Sequence, residues 1–254
     1  MKITALTDIG LLRKSNQDIY AFRESETYPN AIVAVCDGMG GAAAGNVASM
    51  VAVNHFIRVL EPMLETEEMP PVELFYQAVD AANTAVFEMA QQDRELEGMG
   101  TTLVAAYICG NQARLVNVGD SRAYLVRKKK MRQLTVDHSY VQELLQRGKI
   151  TEDEAKHHPN RNLITKAVGV DAHVEADLYE GELSKEDTLL LCSDGLCGIV
   201  SDEKIFSIIQ DAEDQEDAAI GLRHAAYEAG ARDNLTILLF SEAGIMNHGG
   251  AENG

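Results

Sequence analysis

Five aspartates recur in one local setting. Asp37, Asp120 and Asp194 each close a short apolar run or a tight turn and are followed by glycine or serine, in Asp37-Gly38-Met39-Gly40-Gly41, Gly119-Asp120-Ser121-Arg122 and Ser193-Asp194-Gly195. Asp233 stands just before the apolar run 235–240, and Asp18 just before Ile19-Tyr20-Ala21-Phe22. One Asp-Gly is ordinarily a turn; the recurrence is what suggests chemistry. Carboxylates brought together repel each other severely unless cations lie between them. All-oxygen sites select hard cations, Mg²⁺ or Mn²⁺, over zinc. Two such ions can share a bridging water, lower its pKa and aim it at a phosphorus atom. Arg13, in the loop that leads to Asp18, carries a planar fork suited to phosphate oxygens.

Positioning these side chains requires strands whose polar ends meet. Residues 31–36 are short, apolar and partly β-branched, which predicts a buried strand running into Asp37. Gly38, Gly40, Gly41 and Gly45 let the chain turn sharply and bring backbone close to a ligand. Further strands are expected over residues 3–7, 19–22, 103–109, 113–118, 122–126, 131–134, 188–192 and 235–240. From residue 103 to 134 strands follow one another with no helix between, which argues for antiparallel sheet and against a βαβ repeat. Helices are expected over 46–60, from Pro70-Pro71 to about residue 90, over 139–147, from 151, from an N-cap at Ser201, and over 215–229. The strand ends that carry the aspartates are expected to converge on one rim of a sheet pair.

Composition narrows the function classes. The chain has 254 residues and a net charge of −18, which disfavours nucleic acid, because phosphate-backbone binding needs clustered Lys and Arg. Its one basic run, residues 127–130, reads as a solvated hairpin tip. Cys36, Cys109, Cys192 and Cys197 read as free thiols in a reducing cytosol, with no spacing that completes a zinc site. The adjacent His157 and His158 have no evident partner for a metal site. Met1 to Ser15 holds no signal-type apolar stretch, and no uninterrupted apolar run nears the ~20 residues of a membrane span. Gly38-Met39-Gly40-Gly41-Ala42-Ala43 matches a dinucleotide fingerprint, but Asp37 would oppose the pyrophosphate, and the following helix leads to another helix, not to a second parallel strand.

Taken in order, these stretches resemble the metal-dependent serine/threonine protein phosphatases of the 2C (PPM) type in their compact bacterial form. The likeness rests on Thr7-Asp8-Ile9-Gly10-x-x-Arg13-x-x-Asn16-Gln17-Asp18, Asp37-Gly38-Met39-Gly40-Gly41, Gly100-Thr101-Thr102, Gly119-Asp120-Ser121-Arg122, Asp137-His138-Ser139, Ser193-Asp194-Gly195-Leu196 and Asp233-Asn234-Leu235-Thr236. The resemblance implies an α+β fold, a four-layer α-β-β-α sandwich of two antiparallel sheets flanked by helices. It implies a single catalytic domain over 1–241, with a mobile flap over about 140–170, and a disordered tail over 242–254. It implies that Asp37, the Gly38 carbonyl, Asp194 and Asp233 hold two Mn²⁺ or Mg²⁺ ions, that Asp18 assists through water, that Asp120 with Asp194 makes a third, weaker site, and that Arg13 binds the substrate phosphate.

The activity so implied is direct hydrolysis of phosphoserine and phosphothreonine by a metal-bridging water, without a phospho-enzyme, with Asp37, Asp194 and Asp233 as the catalytic set. The alternative is a catalytically silent phosphatase-like binding or sensing domain; a metal-dependent nuclease is more distant. Expected partners are phosphorylated proteins and a cognate Ser/Thr kinase, with no nucleic acid and no membrane, for a cytoplasmic monomer. Two departures stand out. Some relatives place histidine directly after Asp-Gly, where this chain has Met39, so leaving-group protonation falls to water or another group. Cys197-Gly198 replace a bulkier residue and an acid after Ser-Asp-Gly-Leu.

Overall fold

The computed structural model describes residues 1–41 and 44–242. Two antiparallel sheets stack face to face. One has β1 (Lys2–Asp8), β11 (Leu235–Ser241), β10 (Thr188–Cys192), β7 (Arg122–Arg127) and β8 (Lys130–Gln133) side by side in that order. The other runs β2 (Asp18–Glu24), β3 (Asn30–Met39), β5 (Leu103–Cys109), β6 (Gln112–Val118) and β9 (Asp177–Glu182), with the short β4 (Gly100–Thr101) beside the end of β3. Helices α1 (Ala44–Leu60) and α2 (Val72–Gln92) cover the second sheet; α6 (Asp202–Asp211) and α7 (Gln215–Glu228) cover the first. This is the four-layer sandwich expected from the sequence.

Side-chain alternation assigns each strand face to a layer. Ala31, Val33 and Val35 of β3 face Leu189, Leu191, Leu238 and Phe240 across the seam between the sheets. Ile32, Ala34 and Cys36 point the other way and pack under α1 and α2 with Phe56, Phe75 and Val79. Leu190, Cys192, Ile237 and Leu239 do the same beneath α6 and α7. β3 is therefore buried on both faces, which is why its sequence is apolar at every position from 31 to 36 rather than at alternate ones.

Several elements differ from expectation. Strand β9 was not expected; its Asp-Leu-Tyr-Glu-Gly-Glu sequence is polar and short, and it pairs as an edge on β6. A short helix, α5 (Asp194–Cys197), follows β10 where no element was expected. Residues 44–65 form a helix and 3₁₀ turn long and apolar enough, at a mean hydropathy of 1.2, to cross a membrane, although no uninterrupted apolar run reaches that length. Their apolar side chains instead pack on α2 and β3. Ala42, Ala43 and all of the expected tail except Glu242 lie outside the described residues.

Residues 139–169 make an excursion from the first sheet. Ser139 caps α3 (Tyr140–Gln146), and Thr151 with Glu154 forms a capping box on α4 (Glu152–Lys156). The return is pinned at three points. Isolated bridges join Ser139 to Ile164 and Thr101 to Val168, and the buried Asn83 of α2 accepts the Gly169 N–H at 2.7 Å.

Candidate active site

Asp37 and Asp18 are register partners on β3 and β2, so one ladder rung sets two carboxylates side by side. Three backbone bonds fix the Asp37 end of β3. Thr102 Oγ1 accepts the Asp37 N–H at 2.9 Å, while the Asp37 carbonyl accepts from Thr101 Oγ1 and the Thr102 N–H, both at 2.9 Å. Gly38 is required at the next position, because a Cβ there would lie 2.1 Å from the Gly45 carbonyl oxygen.

Asp194 opens α5 and Asp233 precedes β11, and the two segments interlock. A Cβ on Gly195 would meet the Asn234 carbonyl oxygen at 1.9 Å. The buried Asn234 laces the first loop to this point: its Nδ2 donates to the Ile9 and Ser15 carbonyls at 2.9 and 3.0 Å, and its Oδ1 accepts the Gln17 N–H at 2.8 Å. That loop carries Arg13, whose Nη2 reaches Asp233 Oδ2 at 2.6 Å. Asp120 sits in the β6–β7 turn, where Ser121 bonds Thr102 at 2.7 Å and His138 Nδ1 accepts the Gly119 N–H at 3.1 Å.

The chain thus brings all five sequence-predicted aspartates and Arg13 to one rim. Burial, followed by the charges of Asp18 and Asp194, pushes the Asp37 carboxyl well above the usual carboxylate range. Burial pushes Asp18 up to about 7, against hydrogen bonds from Ser193 and Thr236 and with Asp194 and Asp233 adding to the rise. Burial, then Asp194 and Asp137, pushes Asp120 up to about 8. Asp194 is raised by burial and Asp233, while a hydrogen bond from the Asp37 carboxyl and the nearby Arg13 and Arg122 oppose the rise. Asp18 Oδ2 accepts from Ser193 Oγ at 2.7 Å, but buried Oδ1 atoms of Asp18 and Asp194 have no hydrogen-bond partner.

Among the described residues, no three acidic, histidine or cysteine side chains form a closed chelate around one point. The carboxylates are neighbours, with Asp233 drawn toward Arg13. Unpartnered buried oxygens in an all-carboxylate set fit a hard divalent cation, which would satisfy both orphans. A cavity of about 510 Å³ opens from Asp120 and Asp194 toward Arg122, Val141, Lys156 and Arg161, so residues 140–161 wall the space beside the rim.

Sequence reasoning assigned no role to Asn234 or Ser193. Ser193 Oγ bonds Asp18 and also accepts the Thr236 N–H at 2.9 Å, joining the rims of both sheets. A small polar residue between an apolar run and an aspartate was the signal available.

Comparison with known proteins agrees with this geometry. The family described as protein phosphatase 2C matches residues 13–226. A Listeria innocua protein named serine/threonine phosphatase stp is 38% identical over 245 residues, covering 96% of each chain. The crystal structure of the Mycobacterium tuberculosis serine/threonine phosphatase PstP/Ppp superposes with a TM-score of 0.84 at 37% identity, covering 97% of this chain and 99% of that one. A PstP catalytic domain in complex with 2 manganese ions matches at a TM-score of 0.82 and 35% identity, over 94% and 96% of the two chains. The chain therefore belongs to the protein phosphatase 2C family.

Proposed function

We propose that this protein is a metal-dependent phosphoprotein phosphatase that hydrolyses phosphoserine and phosphothreonine directly. One observation carries the reading: five carboxylates distant in sequence crowd one rim, with two buried oxygens unpaired, beside an arginine and an open cavity. Asp37, the Gly38 carbonyl, Asp194 and Asp233 would hold two ions, Mn²⁺ or Mg²⁺, and Asp120 with Asp194 a third. Such ions supply Lewis acidity toward the phosphoryl oxygens and make water acidic enough to serve as nucleophile near neutral pH.

The protein's own groups position the reactants. Arg13 turns its fork from Asp233 to the phosphate oxygens, neutralising their charge as the ester bond breaks. Asp18 holds Ser193, and through it the Thr236 amide, so the backbone around Asp194 stays fixed. Met39 has no proton to give, so solvent protonates the departing serine or threonine oxygen. Residues 140–161 are placed to touch the protein part of the substrate.

Substrates made by a Ser/Thr kinase follow from this chemistry, and four free cysteines suit a reducing cytosol. The test is hydrolysis of p-nitrophenyl phosphate and of a phosphothreonine peptide with Mn²⁺, with EDTA, and with Asp37→Asn and Asp194→Asn. Activity that persists in EDTA, or through both substitutions, would falsify the reading. Metal binding with no turnover would make this a silent relative.

A further inference from the structure

Two cysteines that the site chemistry does not use bracket Asp194. Cys192 ends β10 and is fully buried; Cys197 ends α5, is partly exposed, and lines the 510 Å³ cavity with Asp120, Arg122 and Asp194. Three contacts place the sulfurs together. Both side chains pack into the same apolar cluster beneath α6 and α7. Cys197 Sγ lies 3.5 Å from the carbonyl oxygen of Ser193, the residue after Cys192. Arg122 is the register partner of Cys192 across the β7–β10 ladder, and its side chain lines the same cavity as Cys197. Cys36 and Cys109, by contrast, lie toward opposite ends of the β3–β5 ladder in the other sheet.

Taking Asp194 as a metal ligand, we propose that Cys192 and Cys197 form an oxidation site whose disulfide displaces Asp194 and switches the phosphatase off. A hydroperoxide reaches Cys197 through the cavity. The Cys197 sulfur attacks the peroxide oxygen, the O–O bond breaks, and a sulfenic acid and water (an alcohol, for an alkyl peroxide) result. The Cys192 sulfur then attacks the sulfenic sulfur; the S–O bond breaks, the S–S bond forms, and hydroxide leaves as water with the Cys192 proton. Two thiols lose two electrons and two protons, and hydrogen peroxide becomes two waters.

The consequence for Asp194 is geometric. The ring closed by this disulfide contains only Ser193, Asp194, Gly195 and Leu196 between its sulfurs. A disulfide needs its Cβ atoms about 3.5–4.5 Å apart, closer than two thiols in contact require. The movement must fall within α5, because β10 is fixed on both sides by β11 and β7. Gly195 cannot slide inward, since its Cα already abuts the Asn234 carbonyl. Asp194 is therefore the residue that moves.

The test treats the Mg²⁺-loaded full chain with hydrogen peroxide. Peptide mapping is expected to find a Cys192–Cys197 disulfide with Cys36 and Cys109 still reduced. Phosphopeptide hydrolysis is expected to fall about 10³-fold, as for loss of the Asp194 carboxylate, and to return with dithiothreitol. Cys197→Ser and, separately, Cys192→Ser are expected to keep activity in peroxide. Thiols that stay free after peroxide overturn the proposal. So does a disulfide that leaves turnover unchanged, or a loss of activity equal in wild type and both variants. The disulfide map reads the cysteine pair even if the chain proves inactive, so failure of the oxidation site and failure of the phosphatase reading are told apart.

Discussion

Asp187 and Asp18 are both buried carboxylates beside a strand, and the molecule handles them in opposite ways. Asp187 precedes β10, and its side chain is 1% exposed. Arg127 Nε contacts both its oxygens at 3.0 Å, Arg127 Nη2 reaches Oδ2 at 2.6 Å, and the Ser184 N–H donates to Oδ2 at 2.6 Å. Every acceptor is used and the charge is cancelled. Asp18 is 2% exposed, accepts from Ser193 at Oδ2, leaves Oδ1 unpartnered, and has the carboxylates of Asp194 and Asp233 as its charged neighbours. A buried charge that serves structure is paired by the chain itself; one left unpaired among its own kind anticipates a charge from outside.

The widest expected effect comes from crossing the two regions with one kind of substitution. Asp37→Asn or Asp194→Asn is expected to cut turnover by about 10³-fold, since metal charge stabilisation amounts to several kcal/mol at about 1.4 kcal/mol per decade. Thermal stability of the metal-free protein should hold or rise, because repulsion is relieved. Asp187→Asn should do the reverse. Turnover of the folded fraction stays near wild type, while unfolding free energy falls by about 3 kcal/mol, the low end for a broken buried pair. The low end applies because Arg127 is 44% exposed and water takes up part of its charge. Steady-state kinetics and urea melts of both variants decide it. Equal activity losses would erase the distinction.

The apolar framework was legible because each layer writes a period into the sequence. The two-sided burial of β3 and the unbroken strands from 103 to 134 appear in the fold, and of the apolar stripe Phe75, Val79, Ala82, Val86 and Met89 expected on α2 the first four are buried while Met89, in the last turn, is exposed. The aspartates were legible because carboxylates at the mouths of apolar strands have few structural reasons to recur. Three features were not. β9 reads as polar because it is an edge strand whose exposed positions need no apolar residue. The Asn234 lacing depends on carbonyls more than 200 positions away. The salt bridge between Arg13 and Asp233 spans a similar distance, and no local pattern encodes such a pairing.

A second measurement sharpens the contrast through pH. Asp18 and Asp120 have folded values of about 7 and about 8 against 3.8 unfolded, so each takes up a proton on folding inside that window. Stability from these groups is present in full below the unfolded value and is lost as pH rises through the folded ones, the reverse of a salt-bridged carboxylate. Metal-free protein should therefore lose stability, by several kcal/mol, between about pH 5 and about pH 8. Mg²⁺ should flatten the slope, because the cation takes the place of the protons. Urea melts across that range, with and without Mg²⁺, are the check; a metal-free stability that rises with pH contradicts the crowding at the rim.

Arg13 tests the contrast most finely, because it is the one arginine paired with a rim carboxylate that also faces open water. Its side chain is 53% exposed, so its bond to Asp233 adds little to stability, and Arg13→Ala should leave the melting temperature nearly unchanged. Arg127, by contrast, is committed to both oxygens of Asp187 and to the Glu182 carbonyl. If Arg13 exchanges Asp233 for phosphate, its removal should raise KM for a phosphopeptide about tenfold, the value of one charge-assisted hydrogen bond, with a smaller fall in kcat. Arg13→Lys should recover only part of that, since an ammonium supplies the charge without the fork. An arginine whose only task is to neutralise Asp233 predicts a different split: Lys then restores activity in full, and the Ala variant binds Mg²⁺ more tightly than wild type because Asp233 is freed. Calorimetric titration of Mg²⁺ beside the kinetic constants separates the two roles.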